Sequence, residues 1–227
     1  RVLNIISILE RNIQMKKYIS WLADGALAGI MLCIGCAVNL SADNSIVGAF
    51  LFSLGLFAII KLQFGLYTGK AGYMAVNPPR YIREVALTLA GNICGAAAGA
   101  LLLNLTRLSE ALSGGAADIF AAKASDSVIS AFFLAVFCGI LMYTAVEGNK
   151  RAMSAGDVTG ALFAVVVPVM VFILCGFNHC VADLCYFFIS GMTGAAAAAV
   201  YFPVVILGNA AGCMLIPFVK RIAGEKQ

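Results

Sequence analysis

Six predominantly apolar runs, at roughly 18–40, 46–64, 81–106, 126–146, 158–175 and 192–218, fill most of the 227 residues, and short polar connectors separate most of them. A helix needs about 20 mostly apolar residues to cross the hydrocarbon layer of a bilayer. A single soluble core could not hide this much apolar surface. The chain is 62% hydrophobic and 11% charged, against about 45–50% and about 25% in soluble domains. The chain therefore reads as an all-α, multi-pass membrane protein with the lipid bilayer as a partner and no soluble catalytic domain.

Its charges bear on topology. Lys and Arg are dispersed, without the long basic cluster that nucleic acid would attract, so no nucleic-acid partner is expected. Basic residues alternate along the connectors. The N-terminal arm holds Arg11, Lys16 and Lys17, the connector SADNS holds none, and the next holds Arg80 and Arg83. A long third connector carries only Arg107 and Lys123, EGNKR carries Lys150 and Arg151, SGMTG carries none, and the tail holds Lys220, Arg221 and Lys226. Cytoplasmic loops concentrate Lys and Arg, so both termini are expected in the cytoplasm, with the chain in the cytoplasmic (inner) membrane. The first residues lack the continuous apolar stretch and cleavage site of a signal peptide. Because residue 1 is Arg, the native terminus is expected upstream.

Two runs are broken. After 46–64 comes FGLYTGKAGYMAVNPPR, interrupted by Gly65, Gly69 and Gly72; after 158–175 comes GFNHCVADLCYFFISG, with Gly176 at the break. Glycine permits non-helical backbone, and such backbone survives in a membrane only when buried in protein or lining a cavity. The breaks fall in the second segment of each half, and the third segments carry GNICG at 91–95 and GNAAG at 208–212. Three spans per half require opposite insertion. The expected fold is six transmembrane helices in two inverted three-helix repeats, about 18–106 and 126–218, with two broken helices. Paired broken helices point to a transport site near the midplane. Residues 1–17, with Val2, Ile5, Ile6, Leu9 and Ile13 at helical spacing, read as an interfacial arm, 18–220 as the transmembrane domain and 221–227 as a cytoplasmic tail.

A half-helix starting inside the membrane leaves backbone N–H groups unpaired, and its dipole puts partial positive charge there. Two such ends suit a small anion. Thr68 in the first break offers a hydroxyl, and His179 in the second, the only histidine, offers an N–H. A lone buried histidine is often a hydrogen-bonded core residue, but ionisable groups inside membranes are functional candidates by default. His179 lies at a helix break and reads as the symmetry counterpart of Thr68. Histidine also titrates nearest physiological pH.

The sequence resembles the formate/nitrite transporter family. GFNH at 176–179 is similar to that family's Gly-Phe-Glu-His, LYTGK at 66–70 to its Leu-Phe-Thr motif, and FSLGL at 52–56 precedes it at the family's spacing. AAKASDSVISAFFLAVFCGIL at 121–141 resembles the stretch that carries a family lysine, and the two Gly-Asn-x-x-Gly motifs fit. The resemblance implies an aquaporin-like fold, a homopentamer with a pore in each protomer, and small monovalent anions as substrates. It implies His179 and Thr68 as the central filter. Leu56, Leu66 and Tyr67 would form the cytoplasmic constriction, and Phe52 and Phe172 the periplasmic one. Lys123 would draw anions into the outer vestibule, and Asn92 and Asn209 would tie down the breaks. The chain departs from the family at Asn178, usually Glu, at Tyr67, usually Phe, at Lys70, usually neutral, and at Gln63-Phe64-Gly65, usually more acidic. Tyr67 is expected to add a hydroxyl to a dry constriction, and Asn178 changes the field at His179. These departures resemble the hydrosulfide-conducting branch, so hydrosulfide is the expected substrate, with formate and nitrite secondary.

Passing a bare ion through an apolar ring is costly. The anion either crosses when a ring widens, held by Thr68 and His179, or takes up a proton near His179 and crosses as the neutral acid. An alternative is a proton-coupled formate or nitrite transporter. Two other classes carry less. Cys33 and Cys36 form C-x-x-C inside a span, a redox or metal motif elsewhere, yet no second ligand pair accompanies them, so no metal, cofactor or enzymatic activity is expected. Asn77-Pro78-Pro79 superficially resembles a neutral-solute channel motif but reads as a turn. Asp24 reads as a buried charge without a transport role.

Overall fold

The computed structural model describes residues 2–224, with side chains from residue 11 onward. All regular structure among them is helical: α1 (Val2–Ser41), α2 (Ser45–Lys61), α3 (Tyr67–Ala71) with a 3₁₀ turn at Gly72–Ala75, α4 (Tyr81–Asn104), α5 (Ser109–Ala124), α6 (Val128–Ser154), α7 (Val158–Leu174), α8 (Cys180–Ile189) and α9 (Ala195–Ile222). Within α1, Arg11–Ser41 is long and apolar enough to cross a membrane alone, as are α4, α6 and α9. The two interrupted pairs, α2/α3 and α7/α8, run between them.

Side-chain caps set several helix starts. Asn44 accepts from the N–H groups of Ile46 and Val47, Ser127 from Ser130, and Asp157 from Gly160, each filling a donor the helix itself leaves empty. The boundary at residue 17 is not a break, because α1 is one unbroken helix of 40 residues. At 1.5 Å per residue it rises about 60 Å, twice the thickness of a hydrocarbon core. Of the proposed amphipathic stripe, Ile13 is exposed, and the side chains of Val2, Ile5, Ile6 and Leu9 lie outside the described residues, as does Lys226. The long third connector contains α5.

Helix α1 packs on α4, α6 on α9, and α2 against α7. Small residues bring the backbones close, as membrane helix packing favours. A Cβ at Gly95 would fall on the Ala26 carbonyl, and one at Gly212 on the Val136 carbonyl. Arg83 donates to the Tyr18 hydroxyl at 2.9 Å, and Arg221 to the Ala75 carbonyl at 2.7 Å. These bonds put the early part of α1 and the late part of α9 at one end of the bundle, the end of the termini. The Ser41–Asn44 turn lies at the far end.

The two breaks are built alike. Helix α2 ends with Gln63 in the left-handed region, φ 58°, and Phe64 N–H bonded to the Ile59 carbonyl. Helix α7 ends with Gly176 at φ 68° and Phe177 N–H bonded to the Phe172 carbonyl. This is the Schellman ending, which normally wants glycine at its left-handed position. The first break puts Gln63 there; Gly65 lies in the extended stretch, Gly69 within α3 and Gly72 in the following turn. Superposing the endings pairs Leu66 with His179 and Tyr67 with Cys180. The register therefore corrects the sequence reading: the counterpart of His179 is Leu66, and Thr68 lies in the first turn of α3.

Candidate functional site

Each break is clamped by the asparagine of a Gly-Asn-x-x-Gly motif. Asn92 on α4 accepts from Tyr67 N–H at 2.8 Å and donates to the carbonyls of Gly65, 2.8 Å, and Gly25, 2.9 Å. Asn209 on α9 accepts from Cys180 N–H at 2.9 Å and donates to the carbonyls of Asn178 and Ala135, both 2.8 Å. One fully buried amide thus satisfies a half-helix start, the extended strand before it and a neighbouring long helix. Of the half-helix N–H groups expected to face an anion, side chains take those of Tyr67, Cys180 and, through His179, Ala182.

Between the clamps, Thr68 Oγ1 and His179 Nε2 stand 2.9 Å apart, both 1% exposed. His179 caps α8: its Nδ1 accepts the Ala182 N–H at 3.1 Å. An accepting Nδ1 carries no proton, so in the neutral ring the proton is on Nε2 and is donated to Thr68. The threonine hydroxyl then retains its own proton to donate. The pair can offer one O–H and one N–H in a dry environment. Adding a proton to His179 would require breaking the α8 cap.

Aromatic rings continue from this pair. Phe172 stacks on the His179 imidazole, centroids 5.5 Å apart, and Phe52 meets Phe172 edge-on at 5.6 Å. Leu56, Leu66 and Tyr67 are buried in the same core. The Tyr67 hydroxyl, expected in a dry constriction, donates to the Ile206 carbonyl of α9 at 2.9 Å. Asn178 donates to the Ala131 carbonyl of α6 at 3.2 Å, which turns its amide onto α6.

Lys123, in the last turn of α5, donates to the Phe177 carbonyl at 2.8 Å and lies 2.9 Å from Asp183 Oδ1. Asp183, in the first turn of α8, also accepts from the Tyr201 hydroxyl at 2.8 Å and is 1% exposed. Sequence reasoning passed over both Asp183 and Tyr201. The rule that singled out His179, an ionisable group in an apolar half-helix, would have found the carboxylate four residues on. Asp24 is only half-buried and accepts from Ser20 at 3.0 Å. Lys70 pairs with Glu84 of α4.

The cysteines are free thiols. Cys33 donates to the Ala96 carbonyl and Cys36 to the Ala182 carbonyl, on two different helices. These contacts are those of small packing side chains.

The profile of the formate/nitrite transporter family matches residues 2–221. The formate channel FocA of Haemophilus influenzae is 26% identical over 151 residues, 62% of this chain and 52% of that protein. The matched stretch spans about half the length of that curated relative. Two solved structures share the fold. One described as an FNT family ion channel has a TM-score of 0.77 at 20% identity, covering 96% of this chain and 93% of its own. A pentameric formate channel with formate bound has a TM-score of 0.72 at 20% identity, covering 94% and 98%.

Proposed function

The chain belongs to the formate/nitrite transporter family, a family of membrane channels and not of enzymes, and from that membership we propose that it is a channel for small monovalent anions of weak acids, hydrosulfide first. The observation that carries the reading is the 2.9 Å contact between Thr68 and His179, buried where the two half-helices meet. With α2/α3 and α7/α8 each counted as one crossing, the protein spans the membrane six times, in two inverted aquaporin-like halves. Each protomer of a homopentamer carries its own pore in the cytoplasmic membrane, with both termini in the cytoplasm.

Mechanism follows from the donors. An anion reaching the filter replaces the Thr68–His179 bond with a bond from the hydroxyl and one from Nε2–H. Charge-assisted bonds of this kind are roughly twice as strong as neutral ones, which offsets part of the lost hydration. Phe52 and Phe172 bound the filter on the far-end side, Leu56, Leu66 and Tyr67 on the other, and the dry rings make passage of a solvated ion costly. Asn92 and Asn209 hold the break backbone. Hydrosulfide has one heavy atom, on which both donors can converge. Formate and nitrite, with three heavy atoms each, are larger and must pass the same dry rings, so they pass more slowly. His179 acts as a neutral donor, because its other nitrogen is committed to the cap.

Formate as principal substrate is the second reading, favoured by the likeness to FocA. Flux into proteoliposomes of hydrosulfide, formate, nitrite and chloride, compared at one pH, separates the two. Hydrosulfide moving fastest supports the first; formate or nitrite moving fastest supports the second. Glycerol moving while no anion does overturns both.

A further inference from the structure

We infer that Asp183 is a selectivity-determining residue: by occupying Lys123 it leaves the far-end mouth without a free cation, and so favours weak acids that can enter protonated over permanently charged anions. The inference rests on the channel reading above. A cavity of about 320 Å³ opens on this end, lined among others by Asn39, Lys123, Asp126, Phe172, Asp183 and Tyr186. Its inner wall leads to the filter, because Phe172 stacks on His179.

Among the described residues of that lining Lys123 is the one cation, against two carboxylates. Its ammonium is held from two sides, by Asp183 at 2.9 Å and by the Phe177 carbonyl at 2.8 Å, and its side chain is only 14% exposed. Asp183 is fixed in turn by Tyr201 at 2.8 Å. Asp126 accepts from Ser130 at 3.2 Å and sits in the exposed rim. Helices α5, α8 and α9 therefore each contribute one member of a closed Lys–Asp–Tyr set. An entering anion must take Lys123 from a carboxylate already in contact, and it meets a second carboxylate on the way. Like charges in a partly buried mouth repel more strongly than in water. A neutral acid meets neither obstacle. Hydrogen sulfide is a weaker acid than formic acid and far weaker than hydrogen chloride, so near neutrality a much larger share of it is available uncharged. The mouth thus sorts by acid strength: an acid that enters uncharged keeps its proton, and one that enters as the anion meets the donors of Thr68 and His179 as the anion.

The test is the ratio of formate flux to hydrosulfide flux in proteoliposomes at fixed neutral pH, for the parent, Asp183→Asn and Asp183→Glu. Freeing one cation in the mouth raises that ratio about tenfold in Asp183→Asn, and Asp183→Glu returns it toward the parent. A ratio does not change when only part of the protein folds. Should Asp183→Asn fail to assemble, because it leaves a buried lysine unpaired, the comparison is the parent against Lys123→Gln/Asp183→Asn, neither of which holds an unpaired buried charge or a freed Lys123; the formate share then stays near the parent's, and a clear rise overturns the inference. An unchanged or lowered share in conducting Asp183→Asn likewise overturns it and leaves the channel standing. A parent that moves no anion overturns the channel reading itself.

Discussion

Replacing Asn209 by Ala removes the clamp from the second break. The amide is fully buried and makes three bonds, to Cys180 N–H and to the carbonyls of Asn178 and Ala135. Alanine leaves all three backbone groups without that partner in a place water does not reach. Side-chain hydrogen bonds between membrane helices are worth about 0.6 kcal/mol each on average, which sets a floor of about 2 kcal/mol for three. A buried polar group left unsatisfied costs about 1–3 kcal/mol; because the break can relax, a total of about 2–4 kcal/mol is expected. Asn178 and Cys180 flank His179, so the loss also loosens the filter. The assay is thermal unfolding of the detergent-solubilised protein beside anion flux. Asn209→Ala should unfold at a lower temperature and conduct poorly, and Asn92→Ala, which loses the matching three bonds, should behave alike. Parent-like melting and parent-like flux in either variant would refute the idea that these amides hold the breaks.

Other expectations follow from single contacts. With one histidine in the chain, ¹⁵N-histidine labelling gives one imidazole, and NMR at neutral pH should report a protonated Nε2 and an unprotonated Nδ1; the opposite tautomer would contradict the cap on α8. Gly212→Leu should prevent correct packing of α9 on α6, because even a Cβ would overlap the Val136 carbonyl, and size-exclusion chromatography should show aggregated or misassembled protein. Tyr67→Phe removes the bond to the Ile206 carbonyl and should cost about 1 kcal/mol in thermal stability while the order of anion preference stays the same. A reordered preference would mean that the hydroxyl serves the pore.

The apolar runs, both breaks and the two Gly-Asn-x-x-Gly motifs were legible in the sequence because each is a local pattern: length, glycine and repetition. The register of the first break was not. Its left-handed residue is Gln63 rather than a glycine, and nothing in composition marks a glutamine for that conformation. Pairing Thr68 with His179 as symmetry mates came from their shared chemistry. They do meet, but as neighbours across the two half-helices rather than as equivalents. That Asn92 and Asn209 act on the breaks was read from the resemblance; which N–H group each accepts from, 25 and 29 residues away, was not legible. Helix α5, 16 residues long and apolar mostly through alanine, did not stand out as a span, and the Asp183–Lys123 pair was hidden by a separation that only folding closes. The cavity that makes this pair matter exists only in three dimensions.

The most direct test is to compare hydrosulfide and formate flux through the parent and Thr68→Val in proteoliposomes. Valine keeps the shape of threonine and removes the hydroxyl that faces His179. One hydrogen bond to an anion is worth about 1.5–3 kcal/mol, so both fluxes should fall by about tenfold or more while the protein remains folded. Parent-like flux of both anions through folded Thr68→Val would mean that the pair is not the filter.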